Sequence, residues 1–166
     1  MKDFYTKVNW HEIHKVLKAE FDTLLNSKTI KNEMQFGYVD RSMGNSSSVE
    51  QTQFEVCNHK YSSICENEYT LSFINDSMYG LSAKDSKVGL TMLTSGVHPD
   101  PSRSEGENYM VYSFIGNAQH FSIHNPIRQS YNLNDPVIVI SGEVNKNIFV
   151  YSDEIRWKRW LYFYWR

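Results

Sequence analysis

Cysteine is nearly absent, with two among 166 residues, Cys57 and Cys65. That excludes a disulfide framework. A single bridge stays open, and free buried thiols are the simpler state. Long apolar runs are absent too. The longest aliphatic run is Val137-Ile138-Val139-Ile140, which is strand length and far short of the roughly 18 residues of a membrane-spanning helix. The opening residues MKDFYTKVNWHEIHK contain no apolar core of a secretory leader. The plain expectation is a cytoplasmic protein. Nor is there an excess of one charge. Seventeen bases against nineteen acids give a formal charge of −2, which excludes a surface built throughout for nucleic acid. No Gly-x-Ser-x-Gly, Gly-x-x-x-x-Gly-Lys or Gly-x-Gly-x-x-Gly occurs, so the usual nucleophile elbow and nucleotide loops are missing.

What is present is an ordinary globular composition, 40% apolar and 22% charged, with aromatics raised to 14%. The length implies one domain over residues 1–166. A chain this size buries roughly 70% of its unfolded surface and needs no metal or disulfide to fold. In residues 10–25, Trp10, Ile13, Leu17, Phe21 and Leu24 form a stripe at the helical period. Asn9 and Glu12 stand at capping-box spacing before it. Residues 34–39 read as a strand or irregular segment, and Gly44–Ser48 as a loop. Residues 52–57 alternate, with Phe54 and Val56 on one side. Residues 69–74 and 78–84 flank Asn75-Asp76-Ser77, a hairpin signal. Residues 95–108 form a polar loop. Residues 109–133 are ambiguous: YMVYSFIG fits a strand, and NPIRQSYNL fits a helix starting at Pro126. Residues 136–141, 147–151 and 155–165 read as further strands. One helix followed by strands and a mixed region predicts an α/β fold, with α+β as the variant. Its mixed sheet would carry the N-terminal amphipathic helix on one face.

A turn at Asn75-Asp76-Ser77 would put Ser82 across from Thr70 and Lys84 across from Glu68. Ser82 and Lys84 would share a face, and Glu20 on the flank of the first helix would reach the same sheet. This order of helix, strand, hairpin and an apolar strand ending in Lys84-Asp85-Ser86 resembles the PD-(D/E)xK restriction-endonuclease-like superfamily. The later segment Pro136–Glu143 followed by Phe149-Val150-Tyr151 is similar to that group as well. The resemblance implies that Lys84 is the family lysine, which orients water or binds phosphate. It implies that Glu68, in preference to Asp76, is the first metal-binding acid, and that Glu20 is the acid some members carry on the first helix. Mg²⁺ held by Glu68 and Glu20 would be the cofactor, because a hard cation takes oxygen ligands and offsets charge on a reacting phosphate. Ser82 stands where the second acid belongs, which implies weak or absent cleavage. Without the resemblance, Lys84 is a surface lysine paired with Glu68, an interaction worth about 0–1 kcal/mol.

Other signals are thinner. Cys57, His59, Cys65, His120 and His124 are zinc-ligand types at no zinc spacing. His120-Phe121-Ser122 is half of a paired His-x-Ser phosphoesterase signature without its second half. His11 and His14 read as polar-face residues of the predicted helix. At the C-terminus, Arg156, Lys158, Trp160, Tyr162, Tyr164 and Arg166 would share one face of a strand, cationic and aromatic. Such a face suits stacked bases at about 1–3 kcal/mol each, or a protein partner. The leading expectation is therefore a nuclease-like domain, weakly active or inactive, acting on nucleic acid or derived from proteins that do. The alternative is a non-enzymatic protein-binding module such as an immunity protein or phage inhibitor. A third reading is a structural domain of a larger polypeptide.

Overall fold

The computed structural model describes residues 1–44, 47–96 and 98–136. Their strands are β1 (Lys2–Trp10), β2 (Val16–Asp22), β3 (Thr29–Met34), β4 (Gly37–Ser42), β5 (Val56–Cys57), β6 (Tyr61–Glu66), β7 (Tyr69–Asn75), β8 (Gly80–Lys84), β9 (Lys87–Thr94) and β10 (Gly106–Asn117). Helix α1 (Ser48–Thr52) lies between β4 and β5, and helix α2 (His124–Asn134) follows β10. The strands form two antiparallel sheets. One has six strands in the order β1-β10-β7-β6-β3-β4, the other four in the order β2-β9-β8-β5.

Each sheet turns one apolar face to the other. Trp10, Ile30, Ile64, Phe73 and Met110 come from the six-stranded sheet, and Leu81, Val88, Leu90 and Leu93 from the four-stranded one. Full burial of such a side chain contributes roughly 1.5–3 kcal/mol, so this shared layer is the main stabilising element. Phe21 of β2 is the hinge pin between the layers. Its ring meets Phe114 edge-on at 4.4 Å and lies 5.7 Å from Phe73 and 5.9 Å from Tyr112. The far face of the six-stranded sheet is covered by α2, whose Ile127 and Leu133, with Ile123 just before the helix, pack on Tyr61, Ile74 and Ile115. The segment ahead of α2 is pinned by Lys31, which pairs with Asp40 at 2.7 Å and lies over the rings of Tyr38 and Phe121.

The α/β expectation is corrected to an antiparallel β-sandwich. The predicted N-terminal helix over 10–25 is instead the end of β1, a turn, and β2. The cause is arithmetic. Residues four apart, such as Ile13, Leu17 and Phe21, satisfy the helical period and the strand period of two alike. The positions that separate the readings are exposed: Ile13 is 72% and Leu24 87% accessible. His14 and Leu24 both have φ of 56°, which interrupts any helix there. Glu12 pairs with Lys15 rather than capping, and Asn9 lies opposite Glu107 in the β1–β10 ladder.

The hairpin expected around Asn75-Asp76-Ser77 does not form. β7 pairs with β6 and β10, while β8 pairs with β9 and β5. Residues 76–79 are the corner where the chain leaves one sheet for the other. Asn75 holds that corner: its Nδ2 donates to the His59 carbonyl at 2.9 Å, and its Oδ1 accepts from the Met78 amide at 2.9 Å. The strand read over 34–39 is split by the β3–β4 turn, where Phe36 has φ of 67°. The polar loop ends at Gly106, where β10 begins, and the ambiguous stretch 109–133 divides into the rest of β10 and helix α2, which starts at His124 ahead of Pro126. The strands expected at 137–141, 147–151 and 155–165 lie outside the described residues.

Phe21→Ala is expected to lower unfolding free energy by about 2–4 kcal/mol through loss of buried ring contacts, and Leu24→Ala to change it by no more than about 0.5 kcal/mol. Urea denaturation measures both. Equal losses would contradict the strand assignment.

Candidate functional site

The four-stranded sheet buries one face, so alternation along its strands sends every second residue outward. Leu17, Phe21, Val56, Leu81, Ala83, Val88 and Leu90 point to the core. Lys18 and Glu20 of β2, Gly89 and Thr91 of β9, and Gly80, Ser82 and Lys84 of β8 therefore share the opposite face. The register agrees: Glu20 lies opposite Gly89, which lies opposite Ser82. Helix α1 and the segment after it wall this face. Ser47 caps α1 by accepting from the Glu50 amide at 3.2 Å, while Glu50 Oε2 accepts from the Ser47 amide at 3.1 Å. The short helix delivers Gln53, Phe54 and Glu55 to the rim.

The result is a groove of about 490 Å³. Its floor is low at Gly89, which lacks a side chain, and Gly80 leaves a similar gap beside Glu55. A Cβ on Gly89 would lie 2.6 Å from Ser82 Oγ, and one on Gly80 would lie 3.0 Å from Thr91 Cβ. The freed space lets Lys18 on one edge strand reach Glu55 beside the other, Nζ to Oε1 at 2.6 Å. Thr91 Oγ1 donates to the same Glu55 oxygen at 2.6 Å. Lys18 also donates to Ser82 Oγ at 3.4 Å, and Ser82 Oγ donates to the Gly89 carbonyl at 3.3 Å. Burial pushes the Glu55 carboxyl up, but the hydrogen bonds and charge of Lys18 and Thr91 outweigh it, leaving its pKa below the ordinary value. Arg41 is held over the rim by donating to the Cys57 carbonyl. Lys18, Arg41, Lys84 and Lys87 face Glu20, Glu50, Glu55 and Asp85 along the lining. Four bases against four acids leave the groove formally neutral.

The structure brings Glu20, Ser82 and Lys84 into this groove, on strands rather than on a helix and a hairpin. It does not bring Glu68. That residue sits at the β6–β7 turn of the other sheet, highly exposed, with His120 Nε2 at 3.9 Å. Lys84 lies opposite Lys87, not Glu68. Glu68 and Glu20 are thus on different sheets. Asp76 accepts from the Val111 amide at 3.2 Å in the corner. Cys57 is exposed and Cys65 half-buried, both free thiols, and burial raises the Cys65 pKa. His59 packs on Tyr79. Among the described residues no three His, Cys, Asp or Glu side chains group to hold a metal ion, and no helix is long and apolar enough to cross a membrane. Arg156, Lys158, Trp160, Tyr162, Tyr164 and Arg166 lie outside the described residues.

Lys18, Arg41, Glu55 and Thr91 carry no motif that marks them in the sequence, and Phe54 reads there only as one side of the alternating segment 52–57. One signal was there to be read: Leu17-Lys18-Ala19-Glu20-Phe21-Asp22 alternates strictly, and Ser47-x-x-Glu50 is a capping box that announces α1.

A model of the glycosyl hydrolases family 38 C-terminal domain matches residues 2–102. The chain is 35% identical to alpha-mannosidase G of Dictyostelium discoideum over 136 residues, 80% of this chain and 12% of that protein. It is 31% identical to alpha-mannosidase 2C1 of Homo sapiens over 137 residues, 82% of this chain and 13% of that protein. It thus spans about an eighth of the length of these relatives. A solved alpha-mannosidase from Enterococcus faecalis shares the fold, with a TM-score of 0.69 and 14% identity over 79% of this chain and 16% of that one. These matches overturn the endonuclease resemblance, and with it the nuclease, immunity-protein and phage-inhibitor readings. The reason for expecting Mg²⁺ goes with the resemblance.

Glu55 binds its proton less readily folded than unfolded. Its contribution to stability is fully present above the ordinary glutamate pKa of 4.5 and is lost as pH falls through the lowered folded value. The Tm of the protein should exceed that of its Glu55→Gln variant at neutral pH, and the gap should close on acidification toward roughly pH 3. A gap that persists unchanged would contradict the ion pair.

Proposed function

The chain belongs to the glycosyl hydrolase family 38 C-terminal domains, and on that premise we propose that it is a non-catalytic β-sandwich supporting α-mannoside hydrolysis by other parts of such a polypeptide. Glycoside hydrolysis needs two carboxyl groups flanking the scissile bond, one of them able to deliver a proton near neutral pH. The observation that carries the reading is the state of Glu55. Lys18 and Thr91 hold it as a carboxylate, which disables it as a general acid. Its ties bind β2, β9 and the segment before β5 into one face, a scaffolding role. The broad interdigitated core between the sheets suits a rigid platform for a neighbouring catalytic unit.

The chain alone is expected to release no p-nitrophenol from p-nitrophenyl α-mannoside. Grafted in place of the matching segment of the Dictyostelium enzyme, it is expected to keep that enzyme folded and active, whereas deletion of the segment abolishes activity. Turnover by the chain alone that disappears in Glu20→Gln or Glu55→Gln would overturn the reading.

A further inference from the structure

An open sheet ends in edge strands, and each carries a row of backbone amides and carbonyls with no ladder partner on its outer side. Folded chains guard such edges by making them short, bulged, covered or charged. β5 has only two residues, and β2 shifts register between Leu17 and Lys18. β4 has six residues, and its Tyr38 meets Phe121 from the segment ahead of α2. β1 runs nine residues without proline and keeps an unbroken register with β10 from Lys2 to Trp10. Among the described residues it is the longest edge, and no other strand pairs with it. Only its charge is left to guard it.

That charge is complementary to itself. Alternation sends Phe4, Thr6 and Val8 toward the layer between the sheets and Asp3, Tyr5 and Lys7 to the outer face. Tyr5 stands 80% exposed between the two charges. Asp3 accepts from Ser113 Oγ at 2.7 Å, and Lys7 pairs with Glu107 at 2.7 Å and lies over the Tyr109 ring. These contacts orient both groups without saturating them, since an ammonium has three donors and a carboxylate about four acceptor sites. Two copies of β1 pair antiparallel about a two-fold axis normal to the sheet, which keeps like faces together and centres the ladder on one residue. Centred on Asp3 or Lys7, the ladder sets like charges against each other. Centred on Phe4 or Thr6, neither charge meets its opposite. Centred on Tyr5, Asp3 of each copy lies opposite Lys7 of the other, Tyr5 meets Tyr5, and Phe4 meets Thr6.

We propose that β1 is a self-docking edge, through which two copies of this chain join their six-stranded sheets into one continuous antiparallel sheet centred on Tyr5. Two Asp3–Lys7 ion pairs flank the axis and fix the register. A single strand pair from Lys2 to Val8 is a small patch beside the roughly 1,200–2,000 Å² of stable interfaces, so the association is weak and reversible. It does not depend on the supporting role proposed above, which the graft tests separately.

Sedimentation velocity of the full chain tests this. A monomer–dimer equilibrium is expected, with dimer evident at about 0.5 mM. Asp3→Lys and Lys7→Asp each set like charges across the ladder, so each variant alone should be monomeric. Mixed in equal amounts they should form a heterodimer, because every aspartate then faces a lysine. Tyr5→Lys, at an exposed site, should weaken association about tenfold or more while the melting temperature holds. Hydrogen exchange should slow at the β1 amides that face away from β10 only as concentration rises. A monomer at about 0.5 mM, a dimer that survives Asp3→Lys and Lys7→Asp, or two folded variants that fail to combine would overturn the proposal. Should either charge variant fail to fold, the response to Tyr5→Lys decides, and an unchanged dimer rejects the pairing. Protection of the same amides in a dilute monomer rejects it as well, since other residues of the chain would then cover the edge.

Discussion

A β-sheet has two faces, and the four-stranded sheet buries only one of them. Leu17, Phe21, Leu81, Val88 and Leu90 are committed to the layer shared with the six-stranded sheet. With a side-chain period of two, that commitment fixes the opposite direction for Lys18, Glu20, Gly80, Ser82, Lys84, Gly89 and Thr91. The groove is therefore a consequence of the core. A one-residue slip of β2 against β9 would bury Lys18 and Glu20 and expose Phe21. The irregularity between Leu17 and Lys18 is absorbed without that slip, because Lys18 still lies opposite Thr91 and Glu20 opposite Gly89.

The polar wall of the groove is itself ordered by charge pairing across the sheet. An exposed ion pair would contribute little. The pair between Lys18 and Glu55 is half-buried, shares Thr91, and closes over two glycines. Such an arrangement orients groups more than it stabilises the fold. It keeps Glu55 ionised, which suits binding and disfavours proton delivery.

The sequence was most misleading where spacing was ambiguous. Ile13, Leu17 and Phe21 fit either period, and Ile13 and Leu24, which extend the helical stripe in the sequence, are exposed. Asn75-Asp76-Ser77 has turn composition, but Asn75 is buried and bonded to His59 and Met78. The same residues that make a hairpin turn also make a corner between sheets, and only the partner strands distinguish the two. Glu68 was placed beside Lys84 by that false hairpin. Glu20, Ser82 and Lys84 met in the groove for a different reason than expected, through β9, whose pairing with both β2 and β8 no local pattern revealed.

Composition, charge balance, the scarcity of cysteine and the missing nucleotide and nucleophile motifs could be read from the chain alone, because they are properties of residues and not of their neighbours. Individual strands such as 69–74 were legible because their periodicity is local, whereas 109–133 stayed ambiguous between strand and helix until the structure divided it into β10 and α2. Which strands pair, which sheet each joins and which polar residues meet were settled by the tertiary structure. Those choices are made between segments far apart in sequence, by the requirement that each sheet hide one apolar face and leave the other to water.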